Sequence, residues 1–256
     1  MKNKKSLGQH WLKNRALLDE IANLTATDGV DTCLEIGPGL GTLTSSLLRR
    51  FARVIAIEYD TDLARKLPGS FPGKNLTVIN DDILSVDLSK LATGERYAIA
   101  GNIPYYITSP IVKKVLAVTP RPAKIVLLMQ KEVAERIAAG AGDYSLLGLQ
   151  VQNLAQATLG PVVRAAEFTP PPKVDSQVLV LVPRAEPQVP EAVLELAARG
   201  FASPRKKLAG VLADSQTSKD QWRQLLSTHH LNPDARAEDL SLSDWQKLYD
   251  SLKDLR

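Results

Sequence analysis

One short segment in the middle of the chain, Gly101-Asn102-Ile103-Pro104-Tyr105-Tyr106, combines an amide, a proline and an aromatic ring. It follows an apolar run, residues 97–100, that predicts a buried strand, and open α/β sheets bind ligands beyond the carboxyl ends of their strands. Proline favours an extended residue before it, so the Asn102 amide oxygen and nearby carbonyls could converge on one amino group. Tyr105 offers a flat face for a planar base. A structural loop, with Asn102 capping its own backbone and Tyr105 in the core, is the alternative.

A glycine-rich turn, Gly37-Pro38-Gly39-Leu40-Gly41, separates a predicted strand at 32–36 from a predicted helix at 42–51. Glycines let the backbone approach a ligand closely, and a helix N-terminus offers free N–H groups. The next predicted strand, 54–57, ends in Glu58, which lies 21 residues after Gly37. An acid at this distance can accept hydrogen bonds from both hydroxyls of a ribose. The pattern predicts a nucleotide site, with a structural turn and a capping glutamate as the alternative.

The spacing of these glycines separates two classes of nucleotide ligand. The dinucleotide fingerprint requires glycine, glycine and then glycine or alanine at offsets 0, 2 and 5. Gly37 and Gly39 fit, but Thr42 stands at the third position and Gly41 comes one residue early. The pattern argues against NAD and favours a ligand with an adenosine and no pyrophosphate, of which S-adenosylmethionine is the common one.

A pair of carboxylates follows a third predicted strand, 76–79, within the segment Asn80-Asp81-Asp82-Ile83-Leu84. One of them could accept a hydrogen bond from an adenine amino group while Ile83 packs on the ring. Asp82, beside the apolar pair, is the better candidate, and Asp81 is the better candidate for capping a turn.

The elements that position these loops follow from hydrophobic periodicity. Asn14 is a predicted N-cap for a helix at 15–24, and Ser109 for a helix at 110–118. Two further strands are predicted at 125–129 and 178–182. Two further helices are predicted, one from residue 130 onward and one at 146–159. A polar, proline-bearing segment at 184–190 then precedes a run of helical patterns. We therefore expect an α/β domain at 1–184 and a helical domain at 185–256.

Composition limits the class of protein. The chain is 44% hydrophobic and contains no apolar run long enough for a membrane span, and its N-terminus does not predict a signal peptide. The single cysteine, Cys33, excludes a disulfide within the chain and is typical of a cytoplasmic protein. No residue pattern predicts a metal site. A soluble globular protein is expected.

The charge distribution permits an anionic partner. The net charge is +4, and residues 1–184 hold 22 Lys and Arg against 17 Asp and Glu, whereas 185–256 hold 10 against 11. Within the second part, Arg205, Lys206 and Lys207 form a basic cluster that could contact phosphate, with a solvated turn as the alternative.

A second aromatic residue, Phe168, precedes the proline-rich loop Thr169-Pro170-Pro171-Pro172-Lys173-Val174-Asp175-Ser176. Prolines keep such a loop extended and stiff. We expect Phe168 to stand at the entrance of the site, and a position in the core or at a hinge is the alternative.

Together these segments resemble the rRNA adenine N6-dimethyltransferases over nearly the whole chain. Five features carry the resemblance: Leu7-Gly8-Gln9-His10-Trp11-Leu12, Glu35-Ile36-Gly37-Pro38-Gly39-Leu40-Gly41, Glu58 with Asp60 and Asp82, Asn102-Ile103-Pro104-Tyr105, and the loop from Phe168 to Ser176. The family usually has Phe where this chain has Trp11. The asparagine motif combined with the late proline-rich loop is highly specific.

The resemblance implies a Rossmann-like, S-adenosylmethionine-dependent methyltransferase with a seven-stranded sheet and a small helical C-terminal domain. It implies that the target adenine is extruded and held between Tyr105 and Phe168, beside Asn102 and Pro104. It also implies a set of cofactor contacts at Gln9, His10, Leu12, Gly37, Gly39, Glu58, Asp82, Ile83 and Asn102.

Two branches of the family differ at the end of the chain. Leu231-Asn232-Pro233-Asp234-Ala235-Arg236-Ala237-Glu238-Asp239-Leu240 matches a signature of the small-subunit enzymes, which macrolide-resistance enzymes acting on large-subunit rRNA generally lack. The resemblance thus implies dimethylation of two adjacent adenosines in the 3'-terminal hairpin loop of small-subunit rRNA, within a subunit precursor during ribosome biogenesis, by a monomer in the cytoplasm.

Three other functions remain open at this point. One is a large-subunit rRNA methyltransferase, and another is a ribosome-assembly or transcription factor with vestigial activity. A DNA adenine methyltransferase is disfavoured, because those enzymes usually carry an acid where Asn102 stands.

Overall fold

The computed structural model describes residues 9–91 and 96–254, so Leu7 and Gly8 of the first motif lie outside it. The chain divides into two compact units. The first takes in Met1–Ala134 and Gln156–Pro183, and the second Glu135–Ala155 and Arg184–Arg256. Within the described ranges, no helix has the length and apolar character that crossing a bilayer requires.

The first unit is built on a seven-stranded sheet with strand order β4-β3-β2-β5-β6-β9-β7. Its strands are β2 (Thr32–Ile36), β3 (Arg53–Glu58), β4 (Leu76–Asn80), β5 (Tyr97–Asn102), β6 (Lys124–Gln130), β7 (Ala155–Val163) and β9 (Ser176–Pro183). Strands β2 to β6 pair in parallel, and β9 runs antiparallel to β6. A separate antiparallel pair joins β1 (Trp11–Leu12) to β8 (Phe168–Thr169). The seven-stranded sheet that the family resemblance implied is confirmed.

Helices cover this sheet, as the near-continuous apolar strands require. They are α1 (Arg15–Thr25), α2 (Thr42–Leu47), α3 (Thr61–Lys66), α4 (Thr108–Ala117) and the start of α5 (Lys131–Ala138). Every residue of β2 is buried, and the apolar faces of α1 and α2 pack in the same core cluster as side chains of β2, β5 and β6. The predicted N-cap at Asn14 is confirmed, since its side chain accepts a hydrogen bond from the Leu17 backbone N–H.

The strand order reverses between β2 and β5, and this reversal opens a crevice. From β2 the chain moves outward to β3 and β4 and then returns to β5 on the other side of β2. Loops that leave neighbouring strands in opposite directions create a ligand site at the carboxyl edge. The register pairs Ile36 with Gly101 and Glu58 with Asn80, so the ends of these strands lie level.

The second unit is a helical bundle with its own core. Its helices are α6 (Leu146–Leu154), α7 (Glu191–Gly200), α8 (Leu208–Leu212), α9 (Lys219–Thr228) and α10 (Leu242–Asp254). Trp222 and Trp245 are almost fully buried in one apolar cluster shared by these helices. Helix α9 begins with a capping box between Ser218 and Gln221. The helical C-terminal fold expected from the sequence is present.

The limits of the two compact units differ from the predicted domain limits at one place. The sequence placed all of 1–184 in one domain, but Glu135–Ala155 belongs to the second unit. Leu149 packs in the same cluster as Val193, and the Asn153 side chain bonds both backbone groups of Val189 at 3.1 and 2.8 Å. These contacts explain why α6 joins the helices that follow residue 184.

Two predicted helices also begin or end elsewhere. The helix expected at 146–159 ends at Leu154, and the following residues form the edge strand β7. Residues 158–163 carry threonine, valines, a glycine and a proline, which favour an edge strand over a helix. Helix α4 begins at Thr108 without a side-chain cap, so the predicted N-cap at Ser109 is wrong.

Candidate active site

A cavity of about 290 Å³ opens at the carboxyl edge of the parallel strands of the first unit. The loops after β2, β3, β4 and β5 line it, together with the segment that precedes β1. It brings together most of the residues singled out in the sequence: Gln9, His10, Gly37, Gly39, Glu58, Asp82, Ile83, Asn102, Pro104 and Tyr105.

Glu58 ends β3 and is held by backbone groups. Its Oε2 accepts a hydrogen bond from Gly39 N at 2.9 Å, and its Oε1 accepts one from Asp60 N at 2.8 Å. Burial raises the pKa of this carboxyl, and the backbone N–H groups offset part of that increase. Each oxygen of a carboxylate can accept more than one hydrogen bond. Two hydroxyl groups could therefore donate to Glu58 without displacing its backbone partners.

The glycine turn is shaped by Trp11. Gly39 has φ +57°, and a Cβ added there would lie 2.9 Å from the Trp11 Nε1 atom. A side chain at position 39 would be strained by the backbone conformation and would clash with the indole. The turn thus remains open to a ligand while its N–H group bonds Glu58.

The two aspartates after β4 both line the cavity and both accept a backbone hydrogen bond. Asp81 Oδ1 accepts from Asp82 N at 2.7 Å, and Asp82 Oδ1 accepts from Leu84 N at 2.9 Å. Ile83 is buried beside them. The structure therefore does not separate a capping aspartate from a ligand-facing one, although Asp82 is the less exposed of the two.

Asn102 has a fixed amide orientation. Its Nδ2 donates to the His10 carbonyl oxygen at 2.8 Å. Because a carbonyl only accepts, the nitrogen must face His10, and the amide oxygen is left as an acceptor at the cavity.

The segment before β1 is held on the cavity by several bonds. The His10 Nδ1 atom lies 2.8 Å from the Pro170 carbonyl oxygen, so this nitrogen carries the proton and donates. Gln9 Nε2 donates to Asp60 Oδ2 at 3.3 Å. Lys13 N donates to the Glu167 carbonyl, and Asn14 Nδ2 donates to Glu167 Oε2. These bonds, with the β1–β8 pair, keep Gln9, His10 and Trp11 along the wall.

Tyr105 forms a fixed aromatic wall. Its hydroxyl lies 2.6 Å from Ser176 Oγ, and its ring stacks near the His10 ring with centroids 6.0 Å apart. Burial raises the pKa of the phenol, so it is neutral at physiological pH. The half-buried ring can present a face to a planar group.

The side chains of two predicted contact residues, Phe168 and Leu12, do not line the cavity. Phe168 was expected at the entrance, but it is 2% exposed and packs in the core. It pairs with Leu12 across β1 and β8, and this pairing turns both side chains inward. Neither side chain lines the cavity. Prolines stiffen the loop after Phe168, but its own position is set by strand pairing, which the sequence did not indicate.

Three aromatic residues that line the cavity were not predicted to do so: Trp11, Tyr59 and Tyr106. Tyr59 is 62% exposed and Tyr106 is 64% exposed. Each directly follows a predicted functional residue, Glu58 and Tyr105 respectively, and that adjacency was the available signal.

A second buried glutamate lies on β2 outside the cavity lining. Glu35 is 1% exposed, and neither carboxyl oxygen has a hydrogen-bond partner among the described residues. Burial raises the pKa of Glu35 to about 8; the nearby Thr44 hydroxyl lowers it in part, and the charge of Glu58 raises it further. At neutral pH Glu35 is therefore mainly protonated.

In the basic cluster of the second unit, one residue forms an ion pair and the other two are exposed. Lys207 Nζ lies 3.0 Å from Asp234 Oδ2, and Arg223 pairs with the other oxygen of that carboxylate at 2.7 Å. Arg205 and Lys206 are exposed on the turn before α8.

Comparison with known proteins identifies relatives over the full length of the chain. The ribosomal RNA small subunit methyltransferase A of Acaryochloris marina is 40% identical, with 97% of each chain covered. The protein of the same name from Synechococcus elongatus is 38% identical, over 99% of this chain and 96% of its own.

Solved structures agree in fold. The 23S rRNA methyltransferase ErmE superimposes with a TM-score of 0.78 at 28% identity, covering 95% of this chain and 99% of its own. A dimethyladenosine transferase from Plasmodium falciparum also gives 0.78, at 26% identity, with 96% and 98% covered. The sequence profile described as ribosomal RNA adenine dimethylase matches residues 1–254. With the sheet order and the cavity described above, this match shows that the chain belongs to the ribosomal RNA adenine dimethylase family.

Proposed function

We propose that this protein transfers methyl groups from S-adenosylmethionine to N6 of two adjacent adenosines in the 3'-terminal hairpin loop of small-subunit rRNA. The observation that carries the proposal is the geometry of Asn102. Its amide nitrogen is held by the His10 carbonyl, so its oxygen is available to an amino group in the cavity. A carboxylate at this position would lack the amide donor for that bond, which argues against the DNA adenine methyltransferases.

The choice of substrate RNA is supported by the relatives. Small-subunit methyltransferases from several bacteria are 36–40% identical to the chain, whereas the large-subunit enzyme ErmE is 28% identical. The segment 231–240 carries the small-subunit signature. A large-subunit substrate is therefore not favoured.

The family and fold imply a methyl donor of the S-adenosylmethionine type. The cavity suits S-adenosylmethionine because it combines a buried ribose acceptor, Glu58, with an open glycine turn and apolar walls. We assign the ribose to Glu58, the adenine to Asp82, Ile83 and Tyr59, and the methionine end to the region of Gly37 and His10. The Leu12 side chain is buried, so any contact from Leu12 comes from its backbone. When bound, the cofactor supplies an electrophilic methyl group on a sulfonium.

Asn102 and a neighbouring carbonyl would hold the acceptor nitrogen. The Pro104 carbonyl already accepts from Ile107 N, so the Ile103 carbonyl is the better second acceptor. Two hydrogen bonds from an adenine amino group to these oxygens would draw its lone pair out of the ring and direct it along the cavity. Tyr105 would support one face of the base. Positioning of this kind accounts for large rate accelerations.

No side chain needs to act as a general base. The amino nitrogen becomes strongly acidic as it gains a methyl group, and its proton passes to solvent after transfer. Consistent with this, Glu58 is held at the ribose position and Glu35 lies outside the cavity lining. The chain's contribution is to orient the base and to exclude water.

We further propose that the protein acts as a monomer in the cytoplasm on a precursor of the small subunit, with the second unit recognising RNA through Arg205 and Lys206. An assembly or transcription factor with vestigial activity is the second candidate, because an intact cavity is compatible with both roles.

The decisive experiment offers labelled S-adenosylmethionine with undermethylated small subunits, large subunits or duplex DNA, followed by nucleoside analysis. We expect N6,N6-dimethyladenosine only in the small subunit, at the two adjacent hairpin positions. Label confined to large subunits or to DNA would overturn the proposed substrate. Cofactor binding without label in any of the three would favour the assembly-factor role.

A further inference from the structure

An exposed tyrosine on the rim of the cavity is not used by the proposed reaction. Tyr106 is 64% exposed, the largest value among the exposed large apolar residues of the described chain, and it lines the cavity beside Tyr105. The two rings differ in environment, since Tyr105 is half-buried and bonded to Ser176. The core of the first unit does not include Tyr106, so packing does not explain its ring.

The backbone that carries Tyr106 is held on both sides. It belongs to a 3₁₀ turn, Tyr105–Ile107, in which Ile107 N donates to the Pro104 carbonyl at 3.3 Å. Thr108 Oγ1 donates to the Tyr105 carbonyl at 3.1 Å. A ring on a fixed turn loses little conformational freedom when it binds a partner.

A cation contacts the backbone of another residue that lines the cavity. Leu84 is 38% exposed and lines the cavity, and its carbonyl oxygen accepts a hydrogen bond from Lys114 Nζ at 2.8 Å. An ammonium has three donors, so two remain for another acceptor. The rim thus combines an exposed aromatic ring, an aliphatic side chain and a positive charge, which together suit a nucleotide.

We propose that Tyr106 stacks on the base of the nucleotide next to the target adenosine, and that Lys114 contacts a phosphate of the same strand. This inference rests on the proposed function. Extruding one base leaves its neighbour unstacked on one side, and aromatic side chains recover such a loss in single-stranded RNA. Because the two targets are adjacent, the base on Tyr106 is the second target while the first occupies the cavity.

The test compares Tyr106→Leu with the matched variant Tyr106→Phe, which keeps the ring. On undermethylated small subunits we expect Tyr106→Leu to raise KM about 10-fold, as for the loss of one stacked base, with kcat within about twofold. Tyr106→Phe should stay within about twofold of wild type in both constants. The Kd for S-adenosylmethionine and the unfolding midpoint should be unchanged in both variants.

Lys114→Gln provides an independent measurement. It should reduce the slope of log Kd for small subunits against log salt concentration by about one, the value for one phosphate contact. An unchanged slope would remove Lys114 from the subsite.

Several results would overturn the stacking subsite while leaving the proposed function intact. One such result is an unaltered KM in Tyr106→Leu, provided that the wild-type protein methylates small subunits. An equal KM increase in both tyrosine variants is another, because it would assign the effect to the hydroxyl. If the wild-type protein does not methylate small subunits, the proposed function itself fails.

Discussion

The polar side chains of the cavity owe their orientation to backbone groups. Asn102 is held by the His10 carbonyl, and Glu58 by the N–H groups of Gly39 and Asp60. Backbone partners keep these groups in place before any ligand arrives. A change of side chain therefore alters both the ligand contact and the group that was holding it.

Asn102→Ala should reduce kcat by at least about 100-fold, the scale on which misplacing a reacting group acts. The Kd for S-adenosylmethionine should change much less, because the segment 9–13 is still held by its bonds to Asp60, Glu167 and Pro170. Single-turnover methyl transfer and cofactor titration measure the two effects separately. Asn75→Ala, an exposed asparagine outside the cavity lining, is the matched control, and an unaltered kcat in Asn102→Ala would remove Asn102 from the mechanism.

Glu58→Gln should weaken cofactor binding about 10- to 100-fold, as expected for hydrogen bonds to a charged group. In the wild type, backbone N–H groups donate to both carboxylate oxygens of Glu58. In Glu58→Gln one of these oxygens is replaced by an NH₂ group, which cannot accept that hydrogen bond. In the wild type, the pKa of Glu58 is raised above its usual 4.5 by burial. Affinity should thus be full above that raised pKa and be lost as pH falls through it, whereas Glu58→Gln should lack this transition. Isothermal titration across pH 4.5 to 8 tests it, and the same acid transition in both proteins would assign it to another group.

At this scale the sequence predicted the residue types of the site better than their environments. Glu58 and Asn102 stand at strand ends, where spacing alone places them at a common edge. The exposure of Tyr59 and Tyr106 depends on the loops that carry them, and no spacing rule encodes it.

Among the elements, the short β1–β8 pair helps to hold one wall of the cavity. It attaches the segment 9–12 to the loop after β7, and α1 begins three residues later, at Arg15, with Asn14 as its cap. Asn14 serves both elements, because its oxygen caps α1 and its Nδ2 donates to Glu167.

Asn14→Ala should lower the free energy of unfolding by about 1 to 2 kcal/mol, the usual cost of a lost N-cap. Asn14→Ser retains a capping oxygen but is too short to reach Glu167, so it should cost less. Denaturant unfolding with an unchanged m-value would measure both. Equal losses in the two variants would show that the cap contributes little and that the bond to Glu167 matters more.

Helices and strands with clear periodicity were predicted well, and errors arose where tertiary contacts override it. The central strands are continuous apolar runs, and each was found. The helix predicted from the sequence continues to residue 159, yet residues 155–163 form β7 because β9 offers a pairing edge. Phe168 turns inward for the same reason, since its strand pairs with β1.

At the scale of the whole molecule, the cavity and the basic cluster lie in different units. The first contains the cavity, and the second carries the exposed residues Arg205 and Lys206. Lys207 is adjacent to them but is paired with Asp234. The hydrogen bond from Lys207 is the main reason why the pKa of Asp234 is lowered. We therefore expect the three basic residues to differ in their contribution to RNA binding.

Replacing Arg205 and Lys206 together with Ala should weaken binding of small subunits and reduce the salt slope by up to about two. Lys207→Ala should change the slope less, because its charge is already compensated by the neighbouring carboxylate. Filter binding at several salt concentrations provides both slopes. If Lys207→Ala alone matches the double variant, the ion pair does not restrain Lys207, and the assignment within the cluster is reversed.

The position of Trp11 has a spectroscopic consequence. The chain has three tryptophans, and the other two, Trp222 and Trp245, are sealed in the core of the second unit at 1% and 0% exposure. Trp11 alone lines the cavity, against the glycine turn. Intrinsic fluorescence should therefore change in intensity when S-adenosylmethionine binds, and Trp11→Phe should abolish the change while leaving emission from the other two. Occupancy of the cavity becomes directly visible in unlabelled protein, in the absence of any RNA and without a single turnover.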